Sequence, residues 1–167
     1  MEAHINNIKD LGQNITQKLQ NGSKLRDLKF LIQQYDGSDL LKFVQFSNSG
    51  YTRNVVFQND LIDVVVISWN EHQCCKIHDH PDNGCLMKIM DGKLIENVYT
   101  RSIQNNEINN GSFDDLKLCN TNILLKNDIS FIQGKNGLHR ITNEQNAKTI
   151  SLHIYSPPKY TPSYYNV

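Results

Sequence analysis

Beyond residue 50 the chain is cut into short runs of β-branched and aromatic residues, and this pattern narrows the fold more than any other. The runs Leu61–Trp69, Cys85–Met90, Leu94–Tyr99, Ile123–Leu125, Ile129–Ile132 and Thr149–Tyr155 are separated mostly by glycine, asparagine or aspartate. Many short strands with turn residues between them fold as a sandwich or a closed barrel. Asp91-Gly92 predicts a hairpin between two of the runs. The Asn-rich, polar stretch Ile103–Asp115 is expected to be a surface excursion between strands. No internal repeat is visible.

Before residue 50 the period changes. Ile5, Ile8, Leu11, Ile15 and Leu19 recur at three- and four-residue steps and predict an amphipathic helix ending at Gly22. Ser23 is expected to cap a second helix carrying Leu25, Leu28, Leu31 and Ile32. Ser38 is expected to cap a third, short one with Leu40, Leu41, Phe43 and Val44. These stripes read as core-facing packing. The expectation is one mainly β domain over residues 1–167, helical to about residue 46 and a β-barrel from about 51 to 158.

A length of 167 residues suits one ordinary core and leaves little room for a second. Seventeen basic and seventeen acidic residues balance, so no field favours nucleic acid or an anionic membrane. The longest apolar run, Val64–Ile67, is far too short to span a bilayer, and the polar Met1–Asp10 segment carries no apolar signal core. A cytoplasmic monomer is expected. Four cysteines, Cys74, Cys75, Cys85 and Cys119, then stay reduced, and without a CxxC pair they do not suggest a thiolate zinc site.

Three polar constellations fall among the strands. In His78-Asp79-His80 the imidazoles stand two apart, so on a strand they share a face and can bite one metal ion. Alone, an H-x-H is as easily two surface histidines. Gly137-Leu138-His139-Arg140, followed by Asn143, brings a third imidazole from a distant strand. Three histidines make half an octahedron, and imidazole suits iron, zinc, copper or nickel, so ligand type leaves the metal open. In Ser151-Leu152-His153-Ile154-Tyr155 a hydroxyl, an imidazole and a phenol alternate onto one face. Facing inward, they must satisfy one another, because unpaired buried polar groups cost about 1–3 kcal/mol each. Facing outward, they would be the polar side of an edge strand.

Together these segments resemble the cysteine dioxygenases of the cupin superfamily. The matching residues are Tyr51-Thr52-Arg53-Asn54, Ile77-His78-Asp79-His80 with Cys85 and Gly92, Gly137-Leu138-His139-Arg140 with Asn143, and Ser151-Leu152-His153-Ile154-Tyr155-Ser156-Pro157-Pro158. They occur in order from Tyr51 to Pro158. The resemblance implies a cupin jelly-roll barrel with N-terminal helices. It implies ferrous iron on His78, His80 and His139, and conversion of L-cysteine and dioxygen to cysteine sulfinic acid in cysteine catabolism. Ordinary cupins add a glutamate ligand shortly after the H-x-H pair, where this chain has Cys85. Many animal members join the matching cysteine and tyrosine by a thioether, which implies a Cys85–Tyr155 crosslink. By the same pattern Arg53 holds the substrate carboxylate, Tyr51 assists, Trp69 walls the pocket, and Ser151, His153 and Tyr155 form a relay. Arg53 could otherwise be a solvated surface charge, and Trp69 plain core.

Such a site suits its reaction. Neutral histidines leave a metal its full charge, which lowers the pKa of a bound thiol, and a guanidinium matches a carboxylate with two prongs. Two other readings stay open. One is a dioxygenase for another small thiol such as 3-mercaptopropionate, which Arg53 disfavours. The other is a non-catalytic metal-binding cupin, for which the Ser151–His153–Tyr155 trio would be superfluous.

Overall fold

The computed structural model describes residues 4–101 and 116–165, so the surface excursion expected over Ile103–Asp115 lies outside the described residues. Helix α1 (Ile8–Gln20) begins at Asn7, whose side chain accepts the Asp10 backbone N–H at 2.8 Å, and buries Ile8, Leu11 and Ile15. Ile5 lies just before it and bridges to Tyr35. Gly22, with φ of 87°, turns the chain out of the helix as expected. The other two expected caps do not form. A 3₁₀ turn over Leu25–Leu28 leads into α2 (Lys29–Gln34) without a side-chain cap, and a second 3₁₀ turn, Leu40–Phe43, follows Asp39. Ser38 turns back onto Asp36 instead, and Asp39 accepts the Ile8 N–H and the Tyr35 hydroxyl. Its carboxylate thus ties two helical segments together rather than capping one.

Among the described residues ten strands follow: β1 (Thr52–Gln58), β2 (Asp63–Trp69), β3 (Ile77–His78), β4 (Gly84–Asp91), β5 (Lys93–Arg101), β6 (Leu116–Leu125), β7 (Ile129–Ile132), β8 (Leu138–Thr142), β9 (Thr149–Ser156) and β10 (Tyr164–Tyr165). They form two five-stranded sheets, ordered β1-β2-β9-β4-β7 and β10-β3-β8-β5-β6, with every strand pair antiparallel. The mainly β barrel with N-terminal helices is therefore the architecture formed. Among the described residues no helix is long and apolar enough to cross a membrane.

The Asp91-Gly92 hairpin is not formed. β4 pairs with β7 and β9, whereas β5 pairs with β6 and β8 in the other sheet. Gly92, at φ 80°, is the corner by which the chain changes sheets. A Cβ there would collide with Thr149, so only glycine fits against the neighbouring strand. The dipeptide marks a sharp turn, but the register break between Ile89 and Asp91 sends the chain across the barrel instead of back along β4.

The central strands of the first sheet, β2, β4 and β9, are buried on both faces, which explains the unbroken apolar run Val64–Ile67 in β2. Val64, Val66, Leu86, Leu152 and Ile154 face outward into a core made with Ile8, Leu11, Ile15 and Ile32 of the helices. Val65, Ile67, Trp69, Met87, Ile89 and Tyr155 face inward and fill the barrel with Leu94 and Ile141. Lys88 joins the two portions: its buried Nζ donates to the carbonyls of Ile32, Gln33 and Tyr35 at 3.1, 3.3 and 2.8 Å. Those carbonyls end α2, where a cation is favoured.

Candidate active site

β3 is short, and only His78 of the H-x-H pair lies within it; Asp79 and His80 continue beyond its end. His78 pairs across the ladder with His139 of β8. The three imidazoles converge, with one ring nitrogen of each within 4.8 Å of the others and ring centroids 4.4 to 4.9 Å apart. His80 and His139 are buried and His78 partly so.

Hydrogen bonds settle which nitrogen each ring offers. The Nδ1 of His78 lies 2.8 Å from the Lys76 carbonyl, and that of His80 lies 2.8 Å from the Gly137 carbonyl. The Nδ1 of His139 lies 2.8 Å from a carboxylate oxygen of Glu96. Carbonyl and carboxylate oxygens only accept, so each Nδ1 carries a proton, and a ring in its neutral form turns a bare Nε2 inward. Burial, then the neighbouring His139, holds His78 down at about 3, and the same causes lower His80 further. At neutral pH both are neutral rings and not cations. The Nε2 atoms of His80 and His139 are 3.0 Å apart. Two bare nitrogens repel at that distance unless a proton or a metal cation lies between them. It is also the spacing of two nitrogens set about 2.1 Å from one centre at a right angle. The donor set thus fits a metal that imidazole suits.

Glu96 was not anticipated from the sequence. Burial alone would raise its pKa, but bonds from His139, Asn122 and Ser130 outweigh this and hold the carboxyl below its ordinary range. It stands on β5 at the same parity as buried Leu94, so the alternation of that strand already places an acid inside the barrel. Asp79 was also passed over. Its buried carboxylate accepts the Tyr160 hydroxyl at 2.9 Å and the Ser163 N–H at 2.7 Å. β10 then pairs Tyr164 with His78, which lays the segment after Pro158 across the site. Pro162 and Tyr164 close one side of the pocket.

Most of the remaining expected residues meet in that pocket. Tyr51, Arg53, Trp69, His78, His139, His153 and Tyr155 line it, together with Cys75, whose thiol burial pushes up to about 11. Tyr51 stacks on Trp69 with centroids 4.6 Å apart. Arg53 is reached by solvent, and its guanidinium lies 5.2 Å over the Tyr155 ring with Nη1 3.3 Å from the hydroxyl. Ser151, His153 and Tyr155 face inward: Ser151 Oγ is 2.8 Å from His153 Nε2, and His153 Nδ1 is 3.3 Å from the Tyr155 hydroxyl. Burial, then Arg53, lowers His153 well below the usual imidazole range. Cys85 sits directly opposite Tyr155 across the β4–β9 ladder, with its sulfur 3.8 Å from His153 Nδ1. Burial pushes that thiol up to about 12. Arg140 and Asn143 do not enter the pocket. Arg140 donates to Cys74 on the surface, and Asn143 ties the loop carbonyls of Asn70 and Ala147.

Known proteins match nearly the whole of this chain. The family described as cysteine dioxygenase type I matches residues 3–166. The cysteine dioxygenase type 1 of Danio rerio is 30% identical over 159 residues, covering 90% of this chain and 75% of that protein. The bovine and human proteins of that name are 33% and 28% identical over 119 and 125 residues. Those alignments cover 70% and 74% of this chain, but only 56% and 59% of the relatives. Among solved structures, a Klebsiella pneumoniae protein with a double-stranded β-helix domain superposes with a TM-score of 0.55 at 19% identity, covering 77% of this chain and 95% of its own. A Thermus thermophilus protein gives 0.54 at 15% identity, over 71% and 94%. These two likenesses show the fold alone.

Proposed function

Because the chain belongs to the cysteine dioxygenase type I family, we propose that it converts L-cysteine and dioxygen to cysteine sulfinic acid on a ferrous ion held by His78, His80 and His139. One observation carries this reading: three imidazoles, each anchored through Nδ1, turn their other nitrogens toward one another, and His78 and His139 line a pocket shared with Arg53 and Tyr155. When bound, the iron supplies the redox centre that lets triplet dioxygen react with a thiol, and its charge favours the thiolate.

The protein's own residues position the reactants. Arg53 offers a fixed charge to the substrate carboxylate, and its two-pronged geometry sets the orientation of the amino acid. Holding thiol and dioxygen in one narrow pocket removes the entropy of encounter. Tyr51, stacked on Trp69, forms an apolar wall beside them. Tyr155, its pKa raised by burial and then by Cys85, stays a protonated phenol and can donate to the substrate or the oxygen. Pro162 and Tyr164 limit water. Glu96 and the Lys76 and Gly137 carbonyls hold the ligand rings at their tautomers.

The proposal extends to a thioether between Cys85 and a ring carbon of Tyr155. The two face each other across adjacent strands, so the bond would form without chain rearrangement. Dioxygen would remove the two hydrogens lost. The direct test of function is oxygen uptake by the iron-loaded protein with L-cysteine, with the product identified by mass spectrometry. Using ¹⁸O₂, both labels should appear in the sulfinate. Iron-loaded protein that consumes no oxygen with cysteine, or single alanine variants of the three histidines that still retain full iron, would overturn the assignment.

A further inference from the structure

Behind the relay lies a donor that gives it a direction. The indole Nε1 of Trp69 is 2.9 Å from Ser151 Oγ, and both residues are buried. We propose that Trp69 is a positioning residue: by donating to Ser151 it orients the hydrogen-bond chain Trp69–Ser151–His153–Tyr155 so that the Tyr155 hydroxyl is left free to donate into the pocket. This rests on the dioxygenase reading, and it goes beyond Trp69 as a wall.

The direction follows from what each group can do. An indole N–H only donates, so Ser151 Oγ accepts from it and its own proton cannot turn that way. The other neighbour of that oxygen is His153 Nε2, at 2.8 Å. If Ser151 donates to Nε2, every group is satisfied. If the imidazole instead donates to Ser151, a buried O–H is left unpaired, which disfavours that tautomer by about 5- to 150-fold. His153, a neutral ring, then carries its proton on Nδ1 and donates to the Tyr155 oxygen at 3.3 Å. Arg53 Nη1 donates to the same oxygen at 3.3 Å. With both acceptor positions used, the phenol proton has to point elsewhere, toward the pocket or the Cys85 sulfur opposite. Were the chain reversed, Tyr155 would spend its proton on His153 and face the substrate as an acceptor. The serine and the tyrosine hydroxyls can each serve either role, and Trp69 is the member whose role cannot change.

The chain contains one tryptophan, so an analogue can be placed there alone. β-(3-Benzothienyl)alanine keeps the indole shape and puts a weakly accepting sulfur where the N–H was, giving the Ser151 proton a second place to go. The readout is ¹⁵N-histidine NMR on the zinc-loaded protein, with the His153 signals assigned from His153→Gln. Native protein should show one His153 tautomer, with Nδ1 protonated and Nε2 bare. The analogue should show a mixture, as should Ser151→Ala, which removes the intermediary and calibrates the method. With iron, the analogue's kcat for cysteine should fall about tenfold with KM within about twofold, since a proton donor is misdirected and not the carboxylate site. A native tautomer protonated at Nε2, or an analogue with the native tautomer unchanged, overturns the proposal. Tautomers as expected in a protein that oxidises no cysteine would uphold the relay's direction and sink the dioxygenase reading.

Discussion

Replacing Glu96 by glutamine keeps the shape of the side chain and removes its charge, so it isolates what the carboxylate does for the metal cluster. In the native protein Glu96 accepts His139 Nδ1 at 2.8 Å, Ser130 Oγ at 2.9 Å and Asn122 Nδ2 at 3.1 Å. Glutamine retains one accepting oxygen and turns an amide donor toward groups that already donate. A hydrogen bond to a charged group contributes about 1.5–3 kcal/mol and a neutral one about 0.5–1.5 kcal/mol. The His139 bond alone should therefore weaken by about 1–1.5 kcal/mol, a factor of roughly 5 to 15. The freed ring also becomes less basic and less fixed, and loss of such an outer partner typically costs about 10- to 100-fold in metal affinity. Competition with a chromophoric chelator, under anaerobic conditions, should show iron bound at least about tenfold more weakly by Glu96→Gln. The urea midpoint of the metal-free variant separates this from simple unfolding. If the variant folds normally and binds iron within about twofold of native, the argument that Glu96 tunes the cluster through His139 is wrong.

Three further outcomes are expected. Arg53→Ala should raise KM for cysteine about 10- to 150-fold, the worth of one charge-assisted contact, while cysteamine, which lacks the carboxylate, changes little; equal effects on both thiols would refute the assignment. After many turnovers intact-mass and peptide mapping should show the loss of two hydrogens between Cys85 and Tyr155, with Cys85→Ser keeping partial activity and Tyr155→Phe losing about 100-fold or more; native protein without the mass change refutes the crosslink and leaves the dioxygenase reading standing. His78, His80 and His153 are all held below the ordinary imidazole value, His78 at about 3. The unfolded chain therefore takes up protons below about pH 6.5 that the folded chain refuses, and stability present above that pH is lost as pH falls toward about 3. The urea midpoint of the metal-free protein should accordingly drop between about pH 7 and pH 5, and His153→Gln should flatten the slope by about 1.4 kcal/mol per pH unit; a flat native profile would contradict the burial of neutral rings.

Spacing along the chain determined a good deal by itself. The three- and four-residue steps from Ile8 to Ile15 fixed which face of α1 is buried, because a helix returns to one face every 3.6 residues. The alternation Ser151, His153, Tyr155 fixed one inward row on β9, because strand side chains change face at each residue. The same parity on β5 already carried Glu96 inward beside Leu94. Periodicity is local, so it does not say which strands become neighbours. The Asp91-Gly92 turn reads as a hairpin in sequence, but pairing partners far along the chain take β4 and β5 into different sheets. His78 and His139, 61 positions apart, become partners only through the β3–β8 pairing. Cys85 meets Tyr155, and Trp69 meets Ser151, only because β9 lies between β2 and β4. Residue type and parity are written in the chain, whereas juxtaposition and the direction of each hydrogen bond arise only when the barrel closes and excludes the water that would otherwise satisfy every group separately.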